Sequence, residues 1–399
     1  MTDTSAPLAG VRVIDAAHVI AGPGAAARLG DFGADVIKVE HPRQGDPTRR
    51  MGWAVGGTAL WWKWVSRNKR PVTLDLSHSE GQEIFLRLIE TADVMVESFR
   101  PGTLEKWSIG PDLLLERNPG LIILRISGFG QTGPYRRRPG FGTLAEAMSG
   151  FVHMNGHRGE PPLLPPIAMA DEVAALLGAY AVMVALYARD HGGSSGQVID
   201  ASLTESLLQI TGPVAAAYDS LGVVPGPSGS RLPYVAPRGV FRCSDGRWVA
   251  ISGSAQSIVE RLFNAIGEPE LIGDPRFATN HARLENIDAL EAHIASWVGE
   301  RPFNEVIEEF ERFEVAAAPV LDISMIVADA QYRSRRTLIR VPDGASGTVL
   351  LPDVQPRLSV TPGRIDHAGG NMGQANEEVY AELGITAAEL SRLRQSGIV

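Results

Sequence analysis

Asp171 is the residue of this sequence whose type and position could carry chemistry: a carboxylate at the mouth of the long apolar stretch 165–192, PPIAMADEVAALLGAYAVMVALYARDHG. Aspartate is a favoured helix N-cap, because its carboxylate takes up backbone N–H groups that have no partner in the first turn. That role would account for Asp171 with no reaction at all, and the alternative, a functional acid, needs support from elsewhere in the chain. Three further stretches offer groups suited to a ligand. Arg136, Arg137 and Arg138 form a local basic cluster able to meet a phosphorylated molecule. The loop 127–134, SGFGQTGP, is rich in glycine, so its backbone can lie against a ligand. Gly22-Pro23-Gly24-Ala25-Ala26-Ala27 matches G-x-G-x-x-A, with Glu40 as a distal acid, the pattern of a dinucleotide-binding turn. The match is imperfect: Ala16 to Ala21 intervene after the strand and Pro23 stiffens the turn, so an NAD(P) site stays only as a weak alternative. Cys243 is the single cysteine, which excludes an internal disulfide and a cysteine-based metal site. No histidine pair at ligand spacing accompanies it, and no metal is expected.

The elements that must position these groups follow from periodicity. After Asp171, the small residues Ala174, Gly178, Ala181 and Ala185 form one stripe, while Leu176, Leu177, Tyr180, Met183 and Val184 cover the other faces. A helix apolar nearly all round is expected to be buried. Arg189 and His191 suit its negative end, and Gly192 and Gly193 stop it. Strands are expected at 11–14, 35–40, 71–76, 93–97, 121–126 and 197–203, with helices at 25–32 and 79–90 between them. The alternation predicts an α/β doubly wound domain to about residue 205, with the loop 98–102 at the carboxyl end of a strand, where open α/β sheets hold ligands. Trp61, Trp62 and Trp64 read as core or interface. A linker is expected at 222–229, then a hairpin of 239–243 and 247–251 around Ser244-Asp245-Gly246. A helical run over 256–313 and a segment at 316–320 complete a smaller α+β domain. The tail returns to β segments from 338 and ends in helices at 377–383 and 387–395.

Composition bounds the function. At 399 residues and 44% hydrophobic the chain is long enough for two domains with a sizeable core. A net charge of -9 argues against general nucleic-acid binding. No run of about 18 apolar residues is evident, and MTDTSAPLAG at the start has neither the basic nor the apolar part of a signal peptide. A cytoplasmic protein with no membrane partner is expected.

Five stretches taken in order resemble the class III CoA-transferases, the CaiB/BaiF or formyl-CoA transferase family. They are LAGVRVIDAAHVIAGPGAAARLGDFGADVIKVEHPRQGDPTR from Leu8, NKRPVTLDL from Asn68, ADVMVESFRPGTLEKW from Ala92, NPGLIILRISGFGQTGP from Asn118 and AMADEVAALLGAYAVMVAL from Ala168. The resemblance covers almost the entire chain. It implies a modified Rossmann-type large domain plus a smaller α+β domain, with two chains interlocked like rings in a homodimer. On that scheme 1–222 is the first part of the large CoA-binding domain, 223–325 the small domain, and 326–399 a return segment on the large one.

The family's nucleophilic aspartate opens the long helix and falls on Asp171. The implied reaction moves coenzyme A from an acyl-CoA donor to a free carboxylic acid through an aspartyl anhydride and an aspartyl-CoA thioester, the oxyanions being met in part by amides at the helix N-terminus. The resemblance places Val19, Ile20 and Ala21 on the nucleotide by backbone, Arg100 and Lys106 on the CoA phosphates, and Leu74, Ser98 and Phe99 at the adenine end. Arg138 is a further phosphate candidate from local charge alone. Relatives shield the intermediates with a run of glycines that this chain lacks, the nearest segments being 228–231 and 237–239. The same fold houses α-methylacyl-CoA racemases, which pair the aspartate with a histidine. Here that position is Phe141, and no histidine lies between Gly110 and Gly150, which disfavours proton exchange at carbon. His153 and His157 read as ordinary loop residues. A CoA-binding homologue without turnover is the remaining alternative.

Overall fold

The computed structural model describes residues 6–399, so the first five residues of the segment read above as lacking a signal lie outside it. The chain divides into two compact units. The first takes the residues up to Phe151, then Leu164–Gly212 and Ser334–Val399. The second takes Val152–Leu163 and Pro213–Arg333.

The first unit is built on a six-stranded sheet of β1 (Arg12–Asp15), β2 (Asp35–Glu40), β3 (Lys69–Thr73), β4 (Val94–Glu97), β5 (Ile122–Ser127) and β6 (Gln197–Ser202). Every pairing is parallel and the order is β3-β2-β1-β4-β5-β6. The order reverses between β1 and β4, which opens a crevice beyond their carboxyl ends. Because side chains alternate across a strand, the four inner strands each feed two cores. Ile14, Ile37, Val72, Met95 and Ile123 face α2 (Ser79–Ile89) and two C-terminal helices, α8 (Asn376–Glu382) and α9 (Ala387–Gln395). Val13, Val36, Val94, Ile122 and Leu124 face α1 (Ala21–Gly30) and α4 (Met169–Gly192). The returning tail is tied to the sheet: Tyr380 Oη donates to Thr73 O at 2.6 Å and Asn376 Oδ1 accepts from Thr73 N at 2.9 Å.

Helix α4 departs from the sequence expectation. Ala174, Ala175, Gly178, Ala179, Val182, Ala185 and Leu186 are buried, but Leu176, Tyr180, Met183, Val184 and Tyr187 are exposed in this chain. The small stripe, and not the whole circumference, meets the core. Gly178 shows why small residues are needed, since a Cβ there would sit 3.0 Å from Leu124 Cδ2. Against the expectation of no long apolar run, α4 is also the one helix among the described residues long and apolar enough to cross a bilayer. Its buried stripe makes it a core helix of this unit.

Helix α1 begins at Ala21, four residues earlier than periodicity suggests, so the glycines of the apparent dinucleotide turn lie inside its first turn. A methyl group on Gly22 would collide with Ala17, and one on Gly24 would sit 3.1 Å from Ala175 of α4. These glycines serve close packing.

The second unit holds a three-stranded antiparallel sheet of β7 (Arg238–Arg242), β8 (Trp248–Ser252) and β9 (Ala317–Pro319), with the hairpin at the expected turn. Helices α5 (Gln256–Ala265), α6 (Ile287–Gly299) and α7 (Phe303–Arg312) cover it through Phe263, Ile294 and Phe310.

Candidate active site

Asp171 does not cap α4. The cap position is Ala168, whose side chain makes no capping bond, and Asp171 lies in the first turn. A neighbour supplies an acceptor at this helix end: Glu146, on α3 (Gly142–Met148), accepts through Oε1 from Ala170 N at 3.3 Å and from Met169 N at 3.1 Å, an amide it shares with Ile167 O at 2.8 Å. Asp171 is therefore left without the structural task that would explain it. The same bonds occupy amides that an oxyanion could otherwise use at this helix end.

The surroundings of Asp171 disfavour its charge. Burial, then Glu146, then Glu172 push its carboxyl from 3.8 up to about 6. Glu146 is itself 3% exposed, and among the described residues neither acid has an ion-pair partner. Glu172 is paired with Arg28 of α1 at 2.5 Å, with Trp64 Nε1 donating to it at 3.4 Å. Gly142 completes the shape, because a methyl group there would collide with Asp171 Oδ2. Phe141, at the position where a racemase would carry histidine, is the residue just before Gly142 and is exposed.

A second feature lies at the carboxyl ends of β1, β2 and β4. A cavity of about 270 Å³ is lined by His18, Glu40, His41, Arg50, Leu74, Phe99 and Trp107, among others. Of the residues expected to touch CoA, Leu74 and Phe99 line it, and Ser98 anchors its edge: Ser98 Oγ accepts from His18 N at 2.8 Å. Phe99 stands edge-on between His18 and Trp107, each 5.1 Å away. Val19 and Ile20 form the connection from β1 into α1, where Ala21 begins the helix. Val19 has φ 67, a conformation a β-branched residue rarely adopts. Arg100 and Lys106 are exposed on the turns after β4 and are not part of the lining. Arg138 lies on the 128–141 loop, stacked 3.7 Å over Tyr135, also outside the lining.

The strained connection is held from below by buried charge. Lys69 Nζ donates to Pro23 O at 2.6 Å and Asp15 Oδ2 at 2.7 Å, and Lys38 Nζ donates to Ala17 O while facing Asp46 at 3.2 Å. Burial, with Lys38 close by, holds Lys69 down to about 8 against the pull of Asp15. Burial and Lys38 likewise lower His18 to about 4, so its ring is neutral at pH 7. Periodicity did not single out Lys38, Lys69 or Glu146, although lysine inside a strand buried on both faces is itself a signal, since a buried amine needs partners. The tryptophans are structural: Trp62 is fully buried beneath Arg49, and Trp64 stacks on Arg67.

Residues 8–376 match the model of CoA-transferase family III. The chain belongs to CoA-transferase family III. It is 40% identical to the succinyl-CoA–L-malate CoA-transferase alpha subunit of Chloroflexus aurantiacus, over 98% of this chain and 92% of that one. It is 39% identical to the succinyl-CoA–D-citramalate CoA-transferase of the same organism, over 98% of each chain. A crystal structure of a CaiB/BaiF family protein from Brucella suis superposes with a TM-score of 0.83 at 32% identity, covering 95% of this chain and 99% of that one. The α/β fold with a central parallel sheet is thus the family's fold, and the family III CoA-transferases use CoA thioesters.

Proposed function

We propose that this chain transfers coenzyme A from an acyl-CoA thioester to a free carboxylic acid, with Asp171 as the covalent nucleophile. The observation that carries the reading is a carboxylate at a helix start that does no capping, has no ion-pair partner among the described residues, and is held partly protonated near pH 6. Asp171 Oδ attacks the thioester carbonyl, the C–S bond breaks, and CoA leaves as thiolate with a mixed anhydride on the enzyme. The thiolate attacks the aspartyl carbonyl of that anhydride, releasing the donor acid and leaving an aspartyl-CoA thioester. The acceptor carboxylate attacks this thioester and the thiolate returns to its acyl group, which restores Asp171. A carboxylate suits the task because its anhydride stays open to attack by a thiolate.

CoA is read as lying across the carboxyl ends of β1 and β4, its adenine against Leu74 and Phe99. Val19, Ile20 and Ala21 offer backbone groups, and Arg100, Lys106 and Arg138 meet the phosphates. The names of the relatives point to succinyl-CoA as donor and a small hydroxylated dicarboxylic acid as acceptor. The exposed apolar face of α4, with Leu176, Tyr180 and Tyr187, supports a homodimer in which a second chain covers it. A racemase reading lacks support, since Phe141 offers no base beside Asp171.

Incubation with succinyl-CoA and hydroxylamine tests the mechanism. A hydroxamate mass on the peptide containing Asp171, with loss of activity, is expected. An unmodified peptide and undiminished turnover would overturn it.

A further inference from the structure

We infer that Glu146 is a positioning residue that destabilises the free Asp171 carboxylate relative to its acylated forms, by fixing the helix start and setting a second, unpaired carboxylate against it. The inference rests on Asp171 being the nucleophile.

Glu146 is buried on α3, and its Oε1 is bonded to the two amides that immediately precede Asp171, Met169 N and Ala170 N. Bonds to two consecutive amides, at 3.1 and 3.3 Å, fix where the carboxylate sits relative to the next residue along the helix. One turn earlier on the same helix, Gly142 lies directly against Asp171 Oδ2. A single seven-residue helix, α3, thus supplies both the wall and the charge. Two charged groups act on the nucleophile, Glu146 from α3 and Glu172 from α4 itself, while Arg28 of α1 pairs with Glu172 at 2.5 Å. With Arg28 committed to Glu172, the charge of Glu146 is left uncompensated by any ion-pair partner among the described residues.

A neutral cap would satisfy the amides equally well. An acidic cap at a helix start is favourable to the helix, but here it also sits beside a second acid in a partly dry environment. The consequence appears along the reaction. When Asp171 attacks the thioester, one C–O bond forms, the C–S bond breaks, and the negative charge leaves on the CoA sulfur. The side chain is then a neutral anhydride, later a neutral thioester, and neither is repelled by Glu146 or penalised by burial. The same field that makes the free carboxylate more basic makes its acylated forms comparatively more stable.

Glu146→Gln tests this, because glutamine keeps an oxygen for the Met169 and Ala170 amides while removing the charge. The acidic limb of kcat/KM should move down by about half to one pH unit, and the yield of hydroxylamine-trapped Asp171 at saturating succinyl-CoA should fall ~3–10-fold. Glu146→Asp, which retains the charge, should keep the limb closer to wild type than glutamine does. An unmoved limb with an unchanged trapped yield in Glu146→Gln, or equal shifts in both variants, overturns the inference. Should Glu146→Gln fail to fold, Glu172→Gln must shift the limb in the same direction, and an unmoved limb there overturns the like-charge argument. Absence of any hydroxamate on Asp171 in the wild type would instead sink the nucleophile reading on which this one stands.

Discussion

Replacing Asp171 by asparagine should make the protein more stable at alkaline pH and no more stable at acid pH. The folded protein holds the Asp171 proton up to about 6, against 3.8 without the fold, chiefly through burial and then Glu146 and Glu172. Raising the pH from 3.8 past 6 therefore takes the proton first from the unfolded chain and only later from the native one, so native stability falls across that window. At ~1.4 kcal/mol per pH unit the full gap amounts to about 3 kcal/mol, and screening at the partly exposed edge of the side chain reduces it to about 1–2 kcal/mol. Asparagine has nearly the same volume and no charge, so it recovers this amount above pH 6 and nothing below 3.8. Thermal midpoints of wild type and Asp171→Asn compared at pH 8, 6 and 4 provide the measurement. The variant should lead by a few degrees at pH 8, by less at pH 6, and by nothing at pH 4. A lead that is absent at pH 8, or that grows toward acid, would refute the idea that the field at this helix start opposes the free carboxylate.

Gly142→Ala should leave the fold intact and reduce kcat by ~100-fold, because the added methyl displaces Asp171 Oδ2; steady-state kinetics beside a circular dichroism spectrum decide it. Lys69→Met removes the donor to Pro23 O and the nearer of the two amines on Asp15, leaving it Lys38 at 3.6 Å, so it should cost about 2–3 kcal/mol of stability and raise the KM for acyl-CoA. Denaturant unfolding together with acyl-CoA titration checks both effects. Val19→Gly relieves a left-handed β-branched residue, so its thermal midpoint should equal or exceed that of wild type while CoA binding weakens. A clear loss of midpoint would show that Val19 is not strained. Tyr180→Arg on the exposed face of α4 should shift sedimentation toward monomer if that face joins two chains.

Much of the first unit was readable from hydrophobic period alone. Five of the six strands fall within about two residues of expectation, because strands covered on both faces are short apolar runs such as Ile122–Ser127. The third strand began earlier, at Lys69, because its first residues are charged. A period-based reading treats Lys69 as surface, whereas Asp15 and Pro23 O provide for its amine in the interior. The long helix failed in the opposite direction. Its composition argues for burial all round, yet a single chain buries only the small stripe, since close approach to α1 needs Gly24 against Ala175 and leaves Tyr180 and Tyr187 turned outward.

The candidate site divides along the same line. The family resemblance assigns Leu74, Ser98 and Phe99 to one end of CoA, and the fold brings Leu74 and Phe99 into one cavity, with Ser98 at its edge, because all three follow the carboxyl ends of strands. Glu146 could not be assigned from the sequence, since twenty-five positions and a loop separate it from Asp171 and no periodicity connects a short helix to the start of a long one. What the sequence does contain is an unexplained acid on an otherwise apolar segment, GFGTLAEAM, and the fold supplies the reason. The helix that opens with Asp171 has no capping side chain of its own at Ala168, so the cap must come from elsewhere. A cap donated by another element fixes the distance between two helices as well as satisfying amides. Because Gly142 and Glu146 ride on the same turn-and-a-fraction of α3, moving that helix would alter the wall and the charge at Asp171 together. Substitutions within Gly142–Met148 should therefore perturb the pH profile and the turnover rate jointly, whereas substitutions around Leu74 and Phe99 should act on acyl-CoA affinity and leave the acidic limb where it is.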